Sequence, residues 1–343
     1  MSVVPGGGRP AVHRIESGIA ADYLGQIEAW CTHPALAELV GMFGGSIPPG
    51  LTLSDRLSFL DEFSEVWDYR GKAREQSAGR LTNQDAGGAV RWLIRRLDLA
   101  VAQLERIEHL AGELGLIDEL RPIAGDFDHV VVIGGGRYTN LLRTRYAREM
   151  ATGRRIGNVV LAAASRRLLE SEQDAVAVCA PGANTEFELM IAAARDVFGI
   201  DVGEVVEHVT RRVDQVQRNE TVWRFPPDSN ELGLPIMLLE TPSPDPERRR
   251  ANSADTYTFA ARNANMHGSS CLMVTGQPLV PYLHFEALRT LALPYEIRLE
   301  SAGFGVERYN RLSTLDQQHP AKLLQEVRST IRSARALEDQ LRR

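Results

Sequence analysis

Apolar side chains return at three- and four-residue steps across Gly88–Leu114: Val90, Leu93, Leu97, Val101, Leu104 and Ile107, with arginines between them. That spacing lays one apolar stripe along a helix and predicts a single helix over this stretch. Asp85 is placed to cap its start and Gly115 to end it. Other helical patterns run from Ile19 to about Leu120 without a strand, broken by a loop composition at Met42–Gly50. Residues 1–120 therefore read as a helical N-terminal region behind a flexible Gly/Pro-rich lead. Its Trp30, Trp67 and Trp92 are expected in the core rather than at a binding surface.

After Pro122 the period changes. His129–Ile133 is a short β-branched run of the kind found in buried parallel strands. Further strands are expected at Asn158–Ala162, Ala175–Cys179, Thr221–Phe225, Pro235–Glu240, Ser270–Thr275 and Tyr295–Leu299. Helical patterns fall between them at Tyr138–Met150, Thr185–Phe198, Val205–Gln217, Ser253–Asn265 and Tyr282–Leu291, and a last amphipathic helix spans Ala321–Leu341. Strands alternating with helices predict an α/β fold: a Rossmann-like, mostly parallel sheet with helices on both faces, over residues 126–343.

Composition narrows the function classes. Apolar residues make up 43% and charged residues 24%, ordinary for a globular chain, and 39 Lys+Arg against 45 Asp+Glu give a net charge of −6. A protein that coats nucleic acid usually carries a basic excess, so the charge argues against that partner. Cys31, Cys179 and Cys271 are too far apart in sequence for a CxxC pair, and no HxxxH or HxH histidine pair occurs, so no metal site is expected. Isolated thiols and the absence of an apolar leader or membrane-length run lead us to expect a cytoplasmic protein without a membrane partner. A homo-oligomer is compatible with the sequence.

In an open parallel sheet the ligand lies at the carboxyl ends of the strands. That rule selects the loop Gly134-Gly135-Gly136-Arg137 leading to Asn140, where glycines permit close backbone approach and a helix N-terminus favours an anion. It also selects Ser165, the helix start at Thr185-Glu186, the polar strand end at Thr275-Gly276, and the loop after Glu240. There Arg248-Arg249-Arg250 precede Asn252, Ser253 and Thr256. An arginine beside a helix start is a competent carboxylate or phosphate clamp, and Arg250 lies nearest. Glu186 is the acid/base candidate, although a residue in that position also stabilises a helix start through the dipole. Cys179 reads as a buried thiol rather than a nucleophile.

The order of these motifs resembles the bacterial domain-of-unknown-function family that includes the SanA, ElyC and YdcF proteins. The matching segments are Val130–Gly136, Ser165, Thr185-Glu186, Asn252–Thr256 and Val274-Thr275-Gly276, spread over roughly Asp126 to Gly305. The resemblance implies a Rossmann-like fold with a strand-end cleft, and as cofactor a nucleotide or S-adenosylmethionine. Two departures stand out: Arg166-Arg167 replace two glycines after Ser165, and a His-x-x-Arg after the last motif is missing.

These residues predict an enzyme that binds a nucleotide-like or other anionic small molecule at the strand ends. It would be a transferase or hydrolase, since the GxGxxG fingerprint of dinucleotide-dependent oxidoreductases is absent. The alternatives are a non-catalytic ligand sensor using the same pocket, and an RNA-binding protein whose footprint is Arg328, Arg332, Arg335, Arg342 and Arg343.

Overall fold

The computed structural model describes residues 22–76, 94, 97–201, 203, 207–212, 219–312 and 318–343. Its N-terminal helices are α1 (Tyr23–Cys31), α2 (Pro34–Met42), α3 (Leu53–Phe63), α4 (Tyr69–Gln76) and α5 (Val101–Glu113). The α/β part then runs β1 (Phe127–Ile133), α6 (Thr139–Ala151), β2 (Ile156–Ala164), α7 (Glu170–Val176), α8 (Glu186–Phe198), β3 (Glu207–Arg212), β4 (Asn219–Phe225) and β5 (Ile236–Thr241). It continues with α9 (Ser253–Asn263), β6 (Ser270–Gly276), α10 (Val280–Ala287), β7 (Arg298–Phe304), α11 (Val306–Asn310) and α12 (Pro320–Leu341).

The strands form one seven-stranded sheet in the order β3-β4-β5-β2-β1-β6-β7. Strands β5, β2, β1, β6 and β7 are mutually parallel, while β4 joins β5, and β3 joins β4, antiparallel. Counted along the chain, the five parallel strands lie in the order 3-2-1-4-5, the Rossmann arrangement. Its direction of winding reverses between β1 and β6.

Side chains alternate across the sheet, as the period-two geometry of a strand requires. Val131, Ile133, Val160 and Ala162 face one layer, and Val130, Val132, Val159 and Leu161 face the other, packed on α6 and α8. The first layer is shared. Residues of α9, α10 and α12 and of the N-terminal helices belong to one continuous apolar cluster on that face. Trp30 of α1 is fully buried, donates Nε1–H to the Leu114 carbonyl at 3.3 Å, and meets the Phe285 ring of α10 edge-on at 6.3 Å.

Helix α12 is a core element. Arg328 donates to Ser64 Oγ at 3.1 Å, Arg335 to Asp61 at 2.7 Å, and Arg342 to Glu338 on its own helix. Arg332 lies 3.8 Å from Asp61. Of the basic face proposed as an RNA footprint, Arg328 and Arg335 thus meet the N-terminal region, while Arg332, Arg342 and Arg343 remain exposed.

Four sequence expectations need correction. Of the helix expected over Gly88–Leu114, Val101–Glu113 is helical and Leu97–Ala100 is not, while residues 88–93, 95 and 96 lie outside the described residues; Ala100 is extended, and Gln103 reaches back to its N–H. Ala175–Cys179 is the end of helix α7 and a turn, not a strand: Val176 is buried but Val178 is 98% exposed, so the run has no second neighbour to pair with. Within Val205–Gln217 the segment Glu207–Arg212 is a strand, held in register opposite Asn219–Arg224. The last strand is Arg298–Phe304 rather than Tyr295–Leu299, because the chain turns at Glu296, whose φ is 52°. The flexible lead, Asp85 and Trp92 lie outside the described residues.

Candidate functional site

Where β1 and β6 diverge, the loops at their carboxyl ends leave a crevice, as the winding reversal demands. A cavity of about 190 Å³ occupies it. Its wall is built from the β1 turn (Gly134, Gly135), from Thr139 and Arg143 of α6, and from Glu186 at the start of α8. The α9 entrance (Arg250, Asn252, Ser253, Thr256), Tyr282 of α10 and Arg70 of α4 complete it.

Local sequence explains each position. Asn252 caps α9: its Oδ1 accepts from the Asp255 N–H at 3.0 Å while Asp255 accepts from the Asn252 N–H at 2.8 Å. The N–H groups of Ser253 and Ala254 have no acceptor within the helix, as at any helix start. Arg249 forks onto Asp255 and so holds the cap, Arg248 is 87% exposed, and Arg250 alone of the three lines the cavity. Burial pulls the Arg250 guanidinium below its ordinary pKa and nearby Arg166 adds to this, while Glu186, 3.7 Å away, opposes it. Arg143 occupies a buried face of α6, where Nη1 donates to the carbonyls of Ile133 at 2.6 Å and Gly134 at 3.2 Å.

Behind this wall lies a buried ion-pair cluster. Arg166 donates Nε–H to Glu186 at 2.7 Å and both terminal nitrogens to Glu172, at 2.7 and 2.9 Å. The three side chains are at most 6% exposed. A backbone bond from Glu186 N–H to the Arg166 carbonyl, at 2.9 Å, sets the two residues side by side. Burial alone would raise the Glu172 carboxyl, but Arg166, the Leu169 N–H and the charge of Arg137 outweigh it and hold the group below its ordinary range. Burial likewise works against the Arg166 charge, and the two carboxylates overcome it, so its pKa is raised.

The candidate residues divide accordingly. Gly134, Gly135, Glu186, Arg250, Asn252, Ser253 and Thr256 are brought together around the cavity. Asn140 stands behind it, accepting from the Gly135 N–H at 2.7 Å and donating to the Glu186 carbonyl at 2.8 Å. Thr185 is the cap of α8, and Ser165 donates to Glu240 at 2.8 Å, away from the cavity. Thr275 is buried at the end of β6, and neither it nor Gly276 lines the wall. Gly136 and Arg137 are also outside it, with Arg137 in the left-handed region at φ 53°.

Packing also requires the three glycines. A Cβ at Gly134 would stand 2.6 Å from Ala163 Cβ, and one at Gly135 would stand 2.8 Å from the Thr139 methyl. A Cβ at Gly136 would sit 2.2 Å from Glu172, inside the ion pair. The sequence reading passed over Arg143, Tyr282 and Arg70. For Arg143 a signal existed, an arginine three residues after Asn140 on one helix face; for Arg70 there was none.

A larger cavity, about 600 Å³, opens at the opposite end of the sheet around Asp126, Asp128, Arg155, Ser270 and Arg298. There Asp128 accepts from the N–H and hydroxyl of Ser270, both at 2.8 Å, and this hydrogen bonding keeps its carboxyl below the ordinary range. It tethers the start of β6 to β1. The strand-end cavity, where helix starts and three arginines converge, is the candidate site.

The same chain has relatives over nearly its whole length. The uncharacterized protein Rv3785 of Mycobacterium tuberculosis is 59% identical over 314 residues, covering 91% of this chain and 88% of the relative. Mb3814 of Mycobacterium bovis matches to the same extent. The chain belongs to the Rv3785 family. The family model described as the Rv3785 N-terminal domain matches residues 16–115, the segment that supplies Arg70 to the cavity wall. No solved structure matches the chain. Among the described residues of this Rv3785 relative, no helix is long and apolar enough to cross a membrane.

Proposed function

We propose that this chain binds a small anionic compound in the β1/β6 crevice and catalyses group transfer or hydrolysis on it. One observation carries the reading: Arg143, Arg250 and the first turn of α9 converge on a single cavity whose one lining carboxylate among the described residues, Glu186, is already paired with Arg166. Cations and a helix start in a partly desolvated crevice stabilise a bound anion far more than they would in water. Of the two ligand classes implied by likeness to the SanA, ElyC and YdcF proteins, this lining favours a nucleotide, whose phosphate complements it. S-adenosylmethionine would bring a sulfonium cation. The departure from that likeness at Arg166-Arg167 coincides with the buried ion pair.

Titration with a nucleoside monophosphate tests the assignment. Arg250→Ala is expected to weaken binding by about 1.5–3 kcal/mol, the contribution of a hydrogen bond to a charged group. Arg248→Ala should cost well under about 1 kcal/mol, as an exposed charge does. Arg250→Lys should recover only part of the loss, because it lacks the planar fork. Equal small losses at both positions would remove the α9 entrance from the site.

Glu186 decides between catalysis and sensing. The second reading, a non-catalytic sensor, draws on the bond that ties this carboxylate to Arg166 at 2.7 Å, which suits a counter-charge. In an enzyme, Glu186→Gln should lower turnover by about 100-fold or more, the scale of general acid–base help. Nucleotide affinity should stay level or rise, because a negative charge has left the wall. Full turnover in a folded Gln variant would leave Glu186 a structural role.

A further inference from the structure

The N-terminal region enters the cavity through one side chain. Arg70, on α4, lines the same wall as Arg143 and Arg250 although more than sixty residues separate it from the nearer of them in sequence. Its backbone N–H donates to Gln325 Oε1 of α12 at 2.7 Å, and Nη2 pairs with Glu326 of the same helix. Glu326 is 3% exposed and Arg70 28%. The Nε–H of Arg70 is buried and has no hydrogen-bond partner among the described residues. A buried donor left unpaired is costly and is normally satisfied by a protein group, water or ligand. Among the described residues, three guanidiniums, Arg70, Arg143 and Arg250, line the cavity beside one carboxylate, Glu186, which also pairs with Arg166, while Arg70 is paired with Glu326 outside the wall.

From these observations, and resting on the anion-site reading above, we infer that Arg70 is a third cation of the site and that its ligand carries a phosphoryl group. A carboxylate offers two oxygens to the three guanidiniums and the helix start around the cavity. A phosphate monoester offers three terminal oxygens and can engage several guanidinium and backbone donors at once. Glu326 holds Arg70 by one edge and competes with the phosphate for its charge. Binding therefore draws on the same residue that pins α4 to α12, so the N-terminal region senses whether the cavity is filled.

Calorimetric titration of the full chain with inorganic phosphate and, separately, with acetate tests this, with thermal unfolding recorded for each variant. The wild type should bind phosphate at least ten-fold more tightly than acetate. Arg70→Ala should weaken phosphate binding roughly 10- to 100-fold, the range of a charged hydrogen bond. Arg70→Lys keeps a cation for Glu326 but loses the Nε edge, so it should fall between the two; it also serves if the Ala variant does not fold. Glu326→Gln should tighten phosphate binding several-fold by releasing Arg70. If Arg70 only staples the two helices, its Ala and Lys variants and Glu326→Gln will lower the unfolding temperature and leave phosphate affinity unchanged. That result overturns the inference while Arg250→Ala still loses affinity and the site stands. A wild type that binds neither phosphate nor acetate overturns the site and this inference together.

Discussion

Replacing Arg166 with methionine is expected to destabilise the fold by about 3–5 kcal/mol, the usual result of removing one partner from a buried ion pair. Glu172 and Glu186 would remain buried without the guanidinium that satisfies both, and the methionine would fill the space without accepting or donating charge. The pH dependence separates this cause from lost packing. In the wild type the Glu172 carboxyl is held below its ordinary value of 4.5. A depressed carboxylate contributes stability that is fully present above the unfolded value and is lost as pH falls through the folded one. In the variant, burial acts on the Glu172 carboxyl with only the Leu169 N–H and the charge of Arg137 to oppose it, so the group becomes less harmful as it takes up a proton. The deficit should therefore be largest near neutrality and shrink as the pH approaches about 4, read by urea unfolding at several pH values. A deficit that is constant with pH would mean that Arg166 contributes only its volume.

The second large effect is expected at Trp30. Trp30→Ala should cost about 3–5 kcal/mol, the scale for emptying a large aromatic site. Trp30 is fully buried and belongs to the cluster that continues from α1 onto α10 and the sheet face. Loss of its packing on Phe285 should consequently weaken both halves at once. Fluorescence from the remaining tryptophans and far-UV circular dichroism should report one shifted transition. Two separate transitions, with only the helical one moved, would show that residues 22–120 fold on a core of their own.

How much of this could be read in advance depended on whether the signal was local. The α/β class was legible because β1, β2, β5 and β6 are apolar on both faces, and runs such as Val130–Ile133 have few other uses. The start of α9 was legible because Asn252 and Asp255 form a capping box over four residues. Ala175–Cys179 misled because a five-residue apolar run does not distinguish a strand from the end of a short helix. Strand β3 was missed for a similar reason: its pairing with β4 is a property of two segments.

The candidate site shows the same division. Gly134, Gly135, Glu186, Arg250, Asn252, Ser253 and Thr256 follow a rule that ties ligand sites to strand ends, so their sequence positions were enough to nominate them. Ser165 and Thr275 satisfied the same rule, yet one is used by Glu240 and the other lies off the cavity wall. A strand-end position says which end of the sheet a residue occupies; it does not say which way the side chain turns.

By itself, then, the sequence determined the α/β class, the central strands β1, β2, β5 and β6, and the residues that cap the helices at their ends. These follow from periodicity, β-branching and hydrogen bonds made within a few residues. Only the tertiary structure decided that Arg166 belongs to Glu172 and Glu186, that Arg328 and Arg335 of α12 meet the N-terminal region, and that Arg70 reaches the cavity. A guanidinium is compatible with solvent, an ion pair or a ligand wall, and its local sequence barely distinguishes them. The choice rests with whichever distant carboxylate or carbonyl the packed helices bring within about 3 Å of it.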